Sequence, residues 1–492
     1  MRRRPVAGRA AGLALAAALA GCASWPSVGP DYPGAPVTRS LAQADAAAAA
    51  PADAAARGAL EPFERWQAPL PHGGSGADLA RWWAQFDDPT LDALLEAAQR
   101  ESATLAQAAA RIEQARAAST AARAAGLPAV DADLSFSRGT ISTGTSVITA
   151  STTRATLPAS WELDLFGRIR REREAAEARL AASDAQWHEA RVSIAAETAA
   201  RYLQLRYCEL QMQIVRADGA SRAETATISA RAAEAGFQSP AAAALTRASA
   251  AEGAARLTAQ LAECDAIVKG LVSLSGLSEP DLRARLAATA GRLPQPKDFE
   301  VAVLPASLLM QRPDLAAAER ELAAASADIG AAEGDRYPRL ALLGSIGPLR
   351  LDFGGGGTTL NTWSIGPALS VPLFDGGRRA ANVDAARAAY AAAEAAYRER
   401  VRRAVREVEE ALVLLASANG RDADARAASQ GYRQALEAAQ VRWRTGLGSL
   451  IELEEVRRLA LVADSTLAAV QRDRVAAWVA LYRALGGGWT NG

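Results

Sequence analysis

The sequence predicts a mainly α-helical chain with a smaller β part, laid out as two tandem copies of one pattern. Three observations predict it. Proline is absent from 159–239 and from every position after Pro372, and a helix interior excludes proline. Several short runs alternate apolar and polar residues with the period of two that marks a strand. Landmarks of the first half recur in the second at matched spacings, the signature of an internal repeat.

Composition supports the same class. The chain has 492 residues, about a quarter of them alanine. Lys+Arg and Asp+Glu are equal at 55 each, so no basic excess exists to neutralise phosphates, and nucleic acid is excluded as a partner. Two histidines and three cysteines leave little material for a metal site, and no metal or cofactor is expected. No Gly-x-Ser-x-Gly elbow, His-Glu-x-x-His or Walker lysine appears, which speaks against a hydrolase. The glycines of 354–357 are followed by Thr-Thr-Leu and form a loop tip, not a phosphate cradle.

The N-terminus is an address. Three arginines, a short apolar stretch and Leu19-Ala20-Gly21-Cys22 make a signal peptide over 1–21. The last four residues resemble a bacterial lipobox, which implies cleavage before Cys22 and acylation of that cysteine. Ala23, rather than Asp, follows it and favours the outer membrane. Cleavage removes four arginines and no acid, leaving the mature chain four charges negative. Residues 22–80 are rich in Ala, Pro and Gly and are expected to be an extended segment tied down by its lipid.

The remainder divides into a first repeat over 81–285, a linker over 286–312 and a second repeat over 313–492. Leu105 precedes Pro128 by 23 positions, and Leu315 precedes Pro338 by 23. Gly236 to Gly276 and Gly446 to Gly486 are 40 each. Phe166 to Gly236 is 70, and Phe374 to Gly446 is 72. Each copy is expected to hold a helix, two strands, a very long helix (167–235 and 377–445) and a return helix (240–275 and 449–485). At 1.5 Å per residue, the long helices reach about 100 Å. Shorter helices broken at Gly219 or Asn419-Gly420 fit the same stretches.

Strands are expected at 128–141, 152–166, 338–350 and 359–374. In the second, Leu157, Ala159, Trp161, Leu163 and Leu165 alternate with polar neighbours. A soluble sheet covered by helices accounts for this pattern as well as a membrane barrel does. For an exported lipoprotein the barrel also fits. Four strands cannot close around a channel, but three chains supply twelve. On that reading Trp161, Leu163, Trp363 and Leu369 face lipid or the rim, and Asp131, Asp133, Glu162 and Asp164 face the lumen.

Cys208 and Cys264 stand 28 residues before and after Gly236. In an antiparallel hairpin they lie at one height, and an oxidising compartment permits a disulfide. Two buried free thiols are the alternative.

The motifs together resemble the TolC-type outer membrane factors of tripartite efflux pumps, in their lipoprotein branch. They are Val28-Gly-Pro-Asp-Tyr32, Trp82-Trp83 with Phe86 and Asp88-Pro89, Trp161-Glu-Leu-Asp-Leu-Phe-Gly-Arg168, Arg312-Pro-Asp-Leu315, Pro372-Leu-Phe-Asp-Gly-Gly-Arg378 and Leu485-Gly-Gly-Gly-Trp489. The resemblance implies a homotrimer in the outer membrane, with a twelve-stranded β-barrel continuous with a twelve-helix periplasmic α-barrel. It implies a passive conduit, no enzyme, partnered by a periplasmic adaptor and an inner-membrane transporter of the resistance-nodulation-division type. An adaptor itself is the competing reading, but adaptors carry one helical hairpin in a β-rich body. The resemblance also places a periplasmic gate at the second turn-back: Arg442 and Trp443 as basic and aromatic members, Ile451 as the apolar constriction, Glu452 and Glu455 as acids. The alternative is that these glutamates cap and solubilise a helix start.

Overall fold

The computed structural model describes residues 27–34, 79–142, 147–296, 311–353 and 355–488. Cys22, Trp489 and most of the 22–80 segment lie outside them. In chain order, α1 (Pro89–Glu101), α2 (Ala103–Ala124), β1 (Ala129–Val130), β2 (Asp133–Ser142), β3 (Val147–Leu163), α3 (Arg168–Glu234) and α4 (Pro240–Ser275) are followed by a short α5 (Glu279–Ala287). Then come α6 (Pro313–Gly334), β4 (Arg339–Asp352), β5 (Gly357–Ser370), α7 (Arg378–Arg444) and α8 (Leu450–Ala484). The two proline-free stretches hold α3 and α7, each an unbroken helix of 67 residues. Neither Gly219 nor Asn419-Gly420 ends one, because each is a single tolerated breaker among alanines.

Two compact units are distinguished. The first comprises Met1–Ala35, Ala110–Asp184 and Ala317–Arg398 and contains the sheet. All pairs are antiparallel, with β1 and β2 on β3, β3 on β4, and β4 on β5. Asp131 falls in the break between β1 and β2, opposite Pro158, to whose carbonyl it donates (3.0 Å). Proline has no N–H to return the bond, so the ladder parts there.

Register gives the sheet two unlike faces. Leu134 and Phe136 of β2, Leu157 and Trp161 of β3, Leu342 and Ile346 of β4, and Trp363, Ile365 and Leu369 of β5 share one face. Most of these side chains are open to solvent in the single chain, Leu134 at 79% and Trp363 at 75%. The other face carries Asp133, Ser135, Ser137, Arg154, Thr156, Ser160 and Ser364. The strand expected at 152–166 runs instead from Val147 to Leu163. β-Branched Val147 and Thr149 carry it past the expected tip. Its far end stops early because Asp164 is a helix cap: its carboxylate accepts from the N–H groups of Ile169 (3.2 Å) and Arg170 (2.8 Å). Asp164 is therefore no lumen-facing strand residue. Glu162 is paired to Arg168 (3.0 Å), and Trp161 donates to the Gly126 carbonyl (3.0 Å) at the foot of the sheet.

The Val-Gly-Pro-Asp-Tyr motif lies across the start of α3. Val28 donates to the Phe166 carbonyl (3.0 Å), and the buried Arg171 donates to Asp31 (2.6 Å). Gly29 has φ +90°, and a Cβ there would lie 2.3 Å from the Gly330 Cα. Only glycine fits. Burial raises the Tyr32 phenol above its ordinary pKa, and Glu319 adds to the push.

The second unit comprises Pro36–Ala109, Ala185–Ala316 and Glu399–Gly492. Here the remaining motifs find their partners. Trp82 packs on Trp478 and Tyr482, and Trp83 on Phe86 and Tyr482. Asp88 caps α1 through Thr90 (2.9 Å) and accepts from the Tyr202 hydroxyl (2.5 Å). Burial, then Asp88, pushes Tyr202 up to about 12. Arg312 forks onto Asp314 (2.9 and 2.8 Å) and reaches Glu407 (2.8 Å) and the Ala484 carbonyl (2.9 Å).

Candidate functional site at the helix tips

The second unit contains both turn-backs. Gly236 (φ +78°) and Gly446 (φ +77°) close them in the left-handed conformation, which glycine adopts without a Cβ penalty. Phe237 donates to the Ala232 carbonyl and Leu447 to that of Arg442, each at 2.8 Å. Ser239 and Ser449 then cap α4 and α8, accepting from Ala242 (3.2 Å) and Glu452 (3.1 Å). One Gly-x-x-Ser turn is thus built twice. Each presents an apolar residue to solvent, Phe237 at 85% and Leu447 at 77%. The sequence signal for this pair was the repeated Gly-[Phe/Leu]-x-Ser.

Arg442 donates to both carboxylate oxygens of Glu452 (2.7 and 3.3 Å), joining α7 to α8 across the turn. Arg444 donates to Glu224 of α3 (2.8 Å). Ile451 is exposed and Trp443 half-buried. Glu455 is exposed and has no ion pair among the described residues. Arg442, Trp443, Ile451, Glu452 and Glu455 therefore lie together around one turn.

Above the tip lies a buried polar cluster that sequence reasoning missed. Arg457 of α8 is 2% exposed and donates to Thr225 (2.8 Å) and Ser221 (3.1 Å) of α3. It also pairs with Glu454. Glu454 accepts from Ser249 of α4 (3.0 Å), and Ser249 accepts from Arg222 (2.6 Å), which is paired with Asp218 (2.7 Å). Gln440 of α7 donates to Ser221 (3.2 Å). Four helices meet in this cluster. Burial pulls the Arg457 guanidinium below its usual pKa; Glu454 opposes the shift and Arg222 adds to it. Higher on the α3–α4 hairpin, Cys208 and Cys264 are bonded, with Cα atoms 5.6 Å apart. Between this bridge and the tip, Gly219 and Gly253 let the helices touch, since a Cβ on Gly253 would lie 3.2 Å from the Gly219 Cα.

Among the described residues, no group of three or more His, Cys, Asp or Glu is placed to hold a metal ion.

Comparison with known proteins identifies the family. The model of the outer membrane efflux protein family matches residues 94–276 and 304–487. Nodulation protein T of Rhizobium leguminosarum bv. viciae is 31% identical over 424 residues, covering 84% of this chain and 86% of its own. Outer membrane protein OprJ of Pseudomonas aeruginosa is 29% identical, covering 87% and 92%. Among solved structures, the outer-membrane channel OprN superposes with a TM-score of 0.80 at 30% identity, over 94% of this chain and 99% of that one. VceC of Vibrio cholerae gives 0.75 at 25% identity, over 84% and 99%. The chain belongs to the outer membrane efflux protein family.

Proposed function

We propose that this chain is the outer-membrane duct of a tripartite efflux or secretion system, passively conducting small molecules from a periplasmic transporter complex to the exterior. Three copies close a twelve-stranded barrel and a twelve-helix periplasmic tunnel. The observation that carries the reading is the apolar face running over all the strands of the sheet and exposed in the single chain. Burying such a face in lipid, with the polar face inward, is what a bilayer demands of a barrel. No helix among the described residues is long and apolar enough to cross a membrane. The sheet is the proposed spanning element on the strength of its apolar face. The tips, each with an apolar residue exposed at its turn, are the ends offered to a periplasmic adaptor, and through it to an inner-membrane transporter of the resistance-nodulation-division type.

The gate lies at the second turn-back. Three chains bring Glu452 and Glu455 around one axis, and rings of carboxylates favour cations. Arg442 offsets Glu452 within each chain, so Glu455 supplies most of the uncompensated charge. Glu452→Ala with Glu455→Ala is expected to raise conductance and lower cation selectivity in planar bilayers. Unchanged values in an intact trimer would place the constriction elsewhere.

The N-terminal anchor is an acylated Cys22, and Cys208 is bridged to Cys264, a reading supported by their Cα separation of 5.6 Å. The mature protein, denatured without reductant, is expected to show no free thiol. One free thiol per chain rejects acylation of Cys22, and two reject the bridge.

A further inference from the structure

The apolar face of the sheet is not apolar along its whole length. The ladders set its side chains in rows. At the helix end the rows begin with Leu163 and Leu340, and they pass through Leu157, Ile346 and Trp363 towards the strand tips. Two rows near the tips then break the pattern. In one, Thr153 lies between Phe136 and Arg350. In the next, Ser151 lies between Arg138 and Asp352. Among the described residues, Arg138, Arg350 and Asp352 are the charged residues that the five strands place on this face. The margin at the helix end carries Trp161 and leucines and no charge, so the basic groups mark one margin only.

Their height is that of a bilayer boundary. The ten positions from Leu163 to Thr153 of β3 rise about 33 Å along the strand, which is about 25 Å across a bilayer at a tilt of about 40°. The apolar band of an outer-membrane barrel is about 25 Å tall, and arginine becomes tolerable only at its edges. Both arginines therefore stand where lipid tails give way to headgroups. They lie at the end away from the long helices, which is the outer leaflet when those helices are periplasmic.

Neither guanidinium is firmly held. Arg138 is exposed and has no ion pair among the described residues. Arg350 donates twice to one oxygen of Asp352 (3.2 and 3.1 Å), with 60% and 43% of the two side chains exposed. A pair so exposed is weak and gives way to a phosphate, which guanidinium binds bidentately. Two strand spacings, about 10 Å, separate β2 from β4 across β3, so one disaccharide-sized headgroup reaches both arginines. Ser151 and Thr153 stand between them with hydroxyls for the same headgroup.

We propose that Arg138 and Arg350 hold the phosphates of an outer-leaflet glycolipid against the outside of the barrel, one site per chain. This rests on the barrel reading above. The outer leaflet of an outer membrane is rich in glycolipids that carry phosphates on a glucosamine disaccharide, and two cationic forks separated by hydroxyls complement such a headgroup. The contact ties the rim of each chain to the headgroup layer while the apolar rows lie in the tails, and so fixes the depth of the barrel. Asp352 tunes it, because it competes with phosphate for Arg350.

Native mass spectrometry of the detergent-purified trimer tests the site, with bisphosphorylated lipid A as the probe. The parent protein is expected to bind up to one lipid per chain. Arg138→Gln with Arg350→Gln is expected to weaken binding by at least about tenfold, and Asp352→Asn to strengthen it. Arg154→Gln, on the other face beside Ser135, is expected to leave it unchanged. Unaltered binding in the double variant, in a trimer that migrates as the parent does, overturns the site. Equal loss in Arg154→Gln puts the lipid on the other face and overturns it too. Displacement of the lipid by inorganic phosphate at the same concentration would make this a site for the free anion. Equal binding of dephosphorylated lipid A, or of phosphatidylglycerol, would remove the phosphate or the glycolipid from the proposal. Absence of a trimer in the parent protein overturns the barrel reading and the lipid site with it.

Discussion

Leu157→Arg is expected to abolish assembly in the outer membrane, while Asp133→Arg leaves it intact. Leu157 lies on the apolar face opposite Ile346, and Asp133 on the polar face opposite Thr156. An arginine on the lipid face near the bilayer midplane costs about 2–4 kcal/mol. At roughly tenfold per 1.4 kcal/mol, that is a loss of at least about 25-fold in folded trimer per substituted site. On the polar face the same side chain meets water, and Arg154 already stands there. Heat-modifiable trimer in outer-membrane fractions is the readout. Equal yields from the two variants would mean that the apolar face does not meet lipid, and the barrel reading would fall.

How far such faces could be read beforehand depends on how local their cause is. Alternation along one strand is local, and Leu157, Trp161 and Trp363 are on the apolar face for the reason the sequence suggests: a period of two on a pleated ribbon. The long helices were equally legible, because excluding proline over some 70 residues leaves few alternatives, and a glycine is the cheapest way to reverse the chain. Asp164 was misread because the alternation continues through it, while its carboxylate is better used by the open N–H groups that begin α3. An acid just before a helix start was the missed signal.

The polar cluster above the second tip was not legible at all. Arg222, Ser249, Glu454 and Arg457 come from three helices, and Arg457 is 232 positions from Thr225. On its own helix each charged residue reads as part of a solvated face. Only the packing of α3, α4, α7 and α8 makes them interior, and that packing depends on small residues such as Gly219 and Gly253. The residues of the proposed gate were placed by resemblance, and their pairing was open until the turn was seen. Arg442 meets Glu452 of its own chain, and Arg444 meets Glu224.

Arg457→Met is expected to be the most damaging change in the tip region, far beyond Arg442→Met. Both arginines pair with a glutamate of α8, so charge alone does not separate them. Burial does. The Arg442–Glu452 pair is exposed on both sides, at 53% and 39% of the side chain, and exposed pairs contribute about 0–1 kcal/mol. Arg457 is enclosed and supplies donors to Ser221 and Thr225 as well as to Glu454. Methionine fills much of its volume but leaves Glu454, half-buried at 19% exposure of its side chain, with less compensation. Removing one partner of a buried ion pair costs about 3–5 kcal/mol, and a glutamate still held by Arg222 and Ser249 puts the expectation at the lower end. Because Arg457 fastens α8 to α3, its loss should also loosen the second turn-back, raising single-channel conductance above that of Arg442→Met. Thermal dissociation of the purified trimer and bilayer recordings provide the two readouts. A trimer as stable as Arg442→Met, with no greater conductance, would show that the buried cluster does not hold the tip.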